Sequence, residues 1–196
     1  MNSIKAAKIQ LRKDVTRALK LLSADSIRNQ SKSITEKVLS SPEYESSNRI
    51  SVYLSTATEV STVDILEDVF LSHKQCFVPQ FDSKHSRMEM VKLYSMQDFH
   101  SLPTVIWSIK QPSLDEQREN YLESGPLDLV LLPGVAFTPD NKRLGHGKGY
   151  YDSFLHQHLL SYGKLPYTIG LALCEQMFDS VPVSEYDVIL DKVIHP

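Results

Sequence analysis

Only two cysteines occur in the 196 residues, Cys76 and Cys174, far apart and each in an apolar, strand-like setting. Two such residues exclude a disulfide framework and a four-cysteine zinc site; both are expected as buried free thiols in a reducing compartment. No apolar run approaches the roughly 20 residues of a membrane span, and the first residues lack the apolar core of a secretory signal. Their basic amphipathic character faintly resembles a transit peptide, but Asp14 interrupts it, and the cytoplasm is the expected location. Neither sign of charge dominates, since 21 Lys and Arg stand against 24 Asp and Glu. That balance argues against a nucleic-acid footprint spread over the whole surface. The histidines do not cluster; His156 and His158 are two apart on a predicted helix, point differently, and are expected at the surface. Repeats and low-complexity segments are also missing. The length suits one domain, residues 1–196, with a full core.

Glycine is scarce as well, seven in all, so its placement is informative. Gly145, Gly147 and Gly149 alternate with His146 and Lys148, between an apolar run ending at Leu132 and a helical pattern that begins at Tyr150. Glycines let backbone N–H groups approach an anion, and a following helix N-terminus adds partial positive charge. Arg143 and Lys148 supply full charges, and Asp152 in the first helical turn can hold a metal. The segment is neither a Walker A loop, because Gly149 follows Lys148 where Ser or Thr would stand, nor a dinucleotide fingerprint. Taken alone it also fits a basic surface loop. Its density of Arg, His, Lys, Tyr and Asp, placed where a strand hands over to a helix, favours a polyphosphate grip.

Elsewhere, Ile4, Ala7, Leu11, Val15, Ala18, Leu19 and Leu22 form one helical stripe. At about 100° per residue, Lys8 falls within roughly 40° of Ile4, inside that stripe, and Arg12 lies on its edge. Lysine there either snorkels to solvent or marks a helix packed beside an anion site, with Lys8 and Arg12 pointing the same way. A second helix is predicted after Ser23, ending before Pro42. Predicted strands cover Arg49–Leu54, Gln75–Val78 (ended by Pro79), Met88–Tyr94, Asp128–Leu132, Tyr167–Leu173 and Val188–Ile194. Helices are predicted near Ser61–Ser72 and Tyr150–Leu160. Phe81–Arg87 and Thr138–Asn141 read as turns. Ser95–Gly125 receives no element, and Trp107 within it reads first as a core or lid aromatic. Glu59 lies in the loop after the first strand, where position alone makes it an exposed carboxylate. The order predicts a single-domain three-layer α/β/α sandwich with a mostly parallel central sheet.

Lys8-Ile-Gln-Leu-Arg12, Ser51-Val-Tyr-Leu-Ser-Thr-Ala-Thr-Glu59, Leu132-Pro-Gly-Val-Ala-Phe137 and Arg143-Leu-Gly-His-Gly-Lys-Gly-Tyr-Tyr-Asp152 together resemble the 5-formyltetrahydrofolate cyclo-ligase (methenyltetrahydrofolate synthetase) family. The likeness runs from the first helix to the segment Val181–Asp187. It implies an ATP- and Mg2+-dependent closure of 5-formyltetrahydrofolate to 5,10-methenyltetrahydrofolate, releasing ADP and phosphate through a phosphorylated formyl (iminium phosphate) intermediate. By matching motif it implies ATP contacts from Lys8, Arg12, Arg143, Leu144, Gly145, His146, Gly147, Lys148, Gly149, Tyr150 and Tyr151, with Arg143 and Lys148 as the catalytic cations. Folate contacts are implied for Arg12, Leu54, Glu59, Trp107, His146, Gly147, Lys148, Gly149 and Tyr150. Asp152 and Asp187 are implied as Mg2+ ligands. Small molecules are the expected partners, with no nucleic acid or membrane, and a monomer is expected because no apolar stripe is left over.

His146 departs from the arginine that the family often carries there. Histidine titrates near neutral pH whereas arginine does not, so the departure implies an activity more dependent on pH. Two other readings compete. A nucleotide-binding protein without catalysis would show damage among Arg143, Lys148, Asp152 and Asp187, all of which are present. A sugar-phosphate isomerase or CoA transferase would draft Glu59 as its acid or base, but would leave Lys8 and the glycine loop without a task.

Overall fold

The protein is described here from a computed structural model covering residues 2–82, 87–105, 109–184 and 187–196. Helices α1 (Asn2–Leu19), α2 (Ala24–Leu39) and α3 (Pro42–Ser46) precede the first strand, β1 (Arg49–Ser51). Then follow α4 (Val63–Leu71), β2 (Gln75–Asp82), β3 (Arg87–Leu93), α5 (Met96–Ser101) and α6 (Tyr121–Ser124). The second half holds β4 (Leu129–Leu132), the hairpin β5 (Ala136–Phe137) and β6 (Arg143–Leu144), α7 (Tyr150–Tyr162), β7 (Tyr167–Leu171) and β8 (Lys192–Ile194). Six strands form one sheet in the order β3-β2-β1-β4-β7-β8, parallel except for the β2–β3 pair. Helices cover both faces, as the α/β/α expectation requires.

The order fixes where a ligand can sit. From β1 the chain crosses by α4 to β2 on one side; from β4 it crosses by α7 to β7 on the other. Right-handed crossovers running in opposite directions put α4 and α7 on opposite faces. The loops after β1 and β4 therefore diverge, and the gap between them is the crevice in which open α/β sheets bind ligands. The central strand β4 is buried at all four positions, as its unbroken Leu-Val-Leu-Leu run demands for a strand covered on both faces.

Several boundaries differ from the sequence expectation for identifiable reasons. Ser23 and Ser41 each accept from the backbone N–H three residues on, capping α2 and the unforeseen α3. Pro79 does not end β2. The Phe77 carbonyl accepts from Val52, and Phe81 N donates to Gln111 Oε1, so the alternation turns Pro79's nitrogen to that same edge. Past Phe77 that edge has no β1 partner, and a proline there removes no ladder bond. The turn at Thr138–Asn141 is present, with Asn141 at φ 64, a left-handed conformation that asparagine tolerates. On α1 the stripe buries only its second half: Val15 and Leu19 lie in the core, while Ile4 remains 44% exposed. Cys76 is a buried thiol, but Cys174 is exposed in a 3-10 turn rather than in a strand.

The expectation that His158 lies at the surface is wrong. It is fully buried, whereas His156 is exposed. Tyr151, Phe154, Leu155 and His158 follow the i, i+3, i+4, i+7 spacing of one buried helix face; the polarity of histidine hid that pattern. Nε2 accepts from Leu127 N at 3.1 Å, and Nδ1 lies 2.9 Å from the Lys164 carbonyl, which fixes the proton on Nδ1. The ring stacks on Tyr121 with 3° between planes. Burial pulls the His158 pKa below 6.5; the Lys164 carbonyl opposes this and the Lys164 charge assists it. Protonation would also set two donors against each other at Leu127. Because the folded value lies below the unfolded one, the stabilisation is complete above about pH 6.5 and is lost as pH falls through the lowered value. We expect urea unfolding to show stability decreasing across that window by up to about 1.4 kcal/mol per pH unit. A His158→Gln variant is expected to be less stable at pH 8 with a shallower acid decline; an unchanged slope would refute the assignment.

Candidate active site

Three segments meet at the carboxyl end of the sheet, and α1 lies across them. Lys8 and Arg12, one helical turn apart, face inward together. Lys8 Nζ pairs with Asp187 Oδ2 at 2.5 Å, and its side chain is 16% exposed, so the stripe lysine does not snorkel out. Arg12 Nε donates to the Gly145 carbonyl at 2.8 Å. Its guanidinium lies over Gly147, where a Cβ would sit 3.1 Å from Cζ and where φ is +93°. Only glycine meets both conditions. Burial lowers the Arg12 pKa from its ordinary value while the Asp187 charge opposes; an arginine stays charged regardless.

Gly149 caps α7 in the left-handed conformation. Among the described residues, the backbone N–H groups of Gly147, Lys148 and Gly149 have no acceptor. The first turn of α7 adds orphan donors and the positive end of the helix dipole. Lys148 is exposed, with no ion-pair partner among the described residues. At Gly147–Gly149 the loop thus presents donors and a positive charge that no described residue engages.

Arg143 is different. Its side chain is 5% exposed; Nη2 donates to Asp152 Oδ1 at 3.1 Å and Nη1 to the Pro133 carbonyl at 3.3 Å. The guanidinium sits 5.6 Å over the Tyr151 ring, and Nε is buried without an acceptor among the described residues. Asp152 Oδ1 also accepts from Val188 N at 3.2 Å. Asp187 Oδ2 takes Ser184 N at 2.6 Å and Ser184 Oγ at 3.0 Å as well as Lys8. Burial would raise the Asp187 pKa, but Lys8 and Ser184 outweigh it and hold the carboxyl below its ordinary range. Asp152 Oδ2 and Asp187 Oδ1 have no donor among the described residues. Each carboxylate thus keeps one oxygen committed to the protein and one uncommitted. Among the described residues no group of three or more His, Cys, Asp or Glu side chains forms a metal cage. Two carboxylates completed by phosphate oxygens and waters is the usual donor set for Mg2+, and these two residues fit it.

Glu59 is not an exposed loop carboxylate: its side chain is 16% exposed. Oε2 accepts from Thr56 N at 2.8 Å and Thr56 Oγ1 at 2.9 Å, while Oε1 lies 3.9 Å from His146 Nε2. Burial pushes the Glu59 pKa up, yet His146 and the Thr56 donors prevail and lower it. At 3.9 Å His146 is too far for a hydrogen bond; the Thr56 bonds are the firm ones. Burial raises the Tyr53 and Tyr151 hydroxyls, and the Glu59 charge adds to both shifts. Of the remaining expected residues, Leu54 is buried, and Tyr150 packs on Phe81 with ring centroids 5.2 Å apart. Leu144 turns its side chain into the core, and its carbonyl accepts from Val135 N at 2.7 Å. Trp107 lies outside the described residues. Sequence reasoning missed Ser184 and Thr56; each stands three residues before the acid it binds, a spacing typical of local side-chain-to-backbone turns.

Residues 4–196 match the 5-formyltetrahydrofolate cyclo-ligase family. A probable 5-formyltetrahydrofolate cyclo-ligase of Caenorhabditis elegans is 40% identical over 196 residues, 100% of this chain and 95% of that protein. The 5-formyltetrahydrofolate cyclo-ligase of Mus musculus is 39% identical over 193 residues, 98% of this chain and 95% of its own. The solved structure of Aquifex aeolicus 5,10-methenyltetrahydrofolate synthetase aligns with a TM-score of 0.76 at 26% identity, covering 95% of this chain and 88% of that one. With the lysine helix, the glycine loop and the aspartate pair in place at the switch point of the sheet, the chain belongs to the 5-formyltetrahydrofolate cyclo-ligase family.

Proposed function

We propose that the protein closes 5-formyltetrahydrofolate to 5,10-methenyltetrahydrofolate at the expense of ATP, with Mg2+ held by Asp152 and Asp187. The observation that carries this reading is the set of donors on Gly147, Lys148 and Gly149 at the start of α7, beside two carboxylates, with these donors and one oxygen of each carboxylate uncommitted among the described residues. A site built to receive a triphosphate and its cation has that composition. Lys8, Arg12 and Lys148 neutralise phosphate charge, and the loop amides orient the terminal phosphoryl group. Magnesium, when bound, withdraws charge from the phosphate oxygens.

The formyl oxygen attacks the γ-phosphorus and ADP leaves, giving a phosphorylated iminium species on folate. N10 then bonds to the same carbon and loses its proton, and inorganic phosphate departs. No protein nucleophile is required. Glu59, anchored by Thr56 and flanked by Tyr53 and Tyr151, offers a carboxylate to the N–H donors of the pterin, with Leu54 lining that side. The protein acts as a cytoplasmic monomer on small molecules, without nucleic acid or membrane; no described helix is long and apolar enough to cross a bilayer. The test is growth of the methenyltetrahydrofolate absorbance band with stoichiometric ADP release. ADP formed without formylated folate, or no band at all, would refute the reading.

His146 faces Glu59 across the two loops, and its charge is what an arginine would supply permanently. We expect His146→Arg to flatten the pH–rate profile, because a guanidinium carries its charge at every working pH. A profile identical to the parent's would remove His146 from the charge balance of the site.

A further inference from the structure

The family resemblance places Arg143 among the residues that grip nucleotide, yet Nη1 and Nη2 of its guanidinium are both taken up by protein acceptors. The fork spans from the Pro133 carbonyl, just past β4, to Asp152 in the first turn of α7, and the Tyr151 ring supports it. Space for the side chain is reserved: a Cβ on Gly134 would stand 3.1 Å from Arg143 Cγ. With 5% of its side chain exposed, it offers little surface to a phosphate, in contrast to Lys148. We infer that Arg143 is a positioning residue, bracing Asp152 through Oδ1 so that Oδ2 is left fixed for the divalent cation, and that it does not itself hold the nucleotide. The inference rests on the nucleotide-and-magnesium reading above. Arginine suits the task because its Nη1 and Nη2 lie on a rigid planar fork and reach two separated acceptors, Pro133 O and Asp152 Oδ1, from fixed positions, whereas a lysine offers one nitrogen on a flexible stem. Outer partners of metal ligands act in this way, by limiting the orientations a first ligand can adopt.

The test uses the whole protein and two readings taken without folate. One is Mn2+ affinity in the presence of ADP, from the electron paramagnetic resonance of the free ion; the other is affinity for fluorescent ADP in EDTA. Arg143→Lys is expected to weaken Mn2+ binding by about 10- to 100-fold and to leave metal-free ADP affinity within about twofold. In an Asp152→Asn background it is expected to add no further loss, since the oxygen that Arg143 holds in place for the cation has already lost its charge. A tenfold fall in metal-free ADP affinity would show that Arg143 touches phosphate and would overturn the inference, as would unchanged Mn2+ binding. Failure of the parent protein to bind ADP or Mn2+ would instead overturn the nucleotide reading, and this inference with it. If Arg143→Lys does not fold, nitrogen-15 resonances of the Arg143 side chain in the parent protein decide. They should stay in place with metal-free ADP and move when Mg2+ is added; movement with ADP alone refutes the brace.

Discussion

Asp152→Asn is expected to slow methenyltetrahydrofolate formation by about a thousandfold at saturating ATP, corresponding to about 4 kcal/mol of lost transition-state stabilisation. Asparagine is the informative substitution because it keeps the shape and an acceptor for Arg143 Nη2 and Val188 N, which now bind Oδ1. What it removes is the anionic character of the uncommitted oxygen, the atom suited to a hard cation. The loss therefore falls on the charge that opposes phosphoryl transfer and not on the architecture of α7. Arg143 loses its counter-charge in a buried setting, so a fall of a few degrees in melting temperature accompanies the change, and rates should be compared well below it. Two results would count against the metal assignment. One is a rate loss under tenfold in a folded variant; the other is full recovery of the parent rate without any added divalent ion. Asp187→Asn tests the same site from the other side, but there Lys8 and Ser184 share the carboxylate, so its effect mixes metal loss with release of α1.

The site was legible in the sequence wherever its chemistry is local. Residues 143–152 show an anion loop because glycine alternation, cations and a helix start all fall within one stretch. Lys8 was visible as a misfit on an apolar stripe, and a misfit of charge in a periodic pattern survives any uncertainty about where the helix ends. Glu59 was not legible: its burial comes from Thr56 and from His146, which is distant in sequence. The Lys8–Asp187 contact joins residues separated by 179 positions, and no periodicity encodes such a pairing. In the fold, the parallel order of the sheet followed from alternating apolar runs and helical stripes. Strand ends did not, because burial at both faces continues past the last ladder bond: Val52, Tyr53 and Leu54 are all in the core although β1 ends at Ser51. His158 and Cys174 mark the remaining limit. Residue type predicts the surroundings only on average, and a histidine with two backbone partners or a cysteine in a turn departs from that average at no cost.

Gly170→Ala is expected to destabilise the protein by about 3 kcal/mol, the upper part of the range for adding a methyl group to a close-packed core. Gly170 lies in β7, paired with Leu132 and Val193. A Cβ there would stand 2.6 Å from Phe137 Cε1 and 2.7 Å from Leu190 Cδ1. A ring on a loosely packed flank could turn aside, but Phe137 has no such freedom. Its opposite edge already faces Gly134, where a Cβ would stand 2.5 Å from Phe137 Cζ, so the two glycines leave a slot one ring wide. Leu190 Cδ1 is the end of a flexible chain and can give way; the ring, held on both sides, cannot. Urea unfolding should show the loss as a lowered midpoint with an unchanged slope. Phe137→Leu, costly alone because it leaves part of the slot empty, should restore at least 1 kcal/mol when combined with Gly170→Ala; simple additivity of the two would refute the slot. The same ring ties the core to the site, because Phe137 pairs with Arg143 across the β5–β6 hairpin. Gly170→Ala should therefore weaken Mn2+ binding along with stability, whereas Arg143→Lys should weaken the metal far more than the fold. If the two variants lost stability and metal affinity in the same proportion, Arg143 would be a packing residue and not a brace.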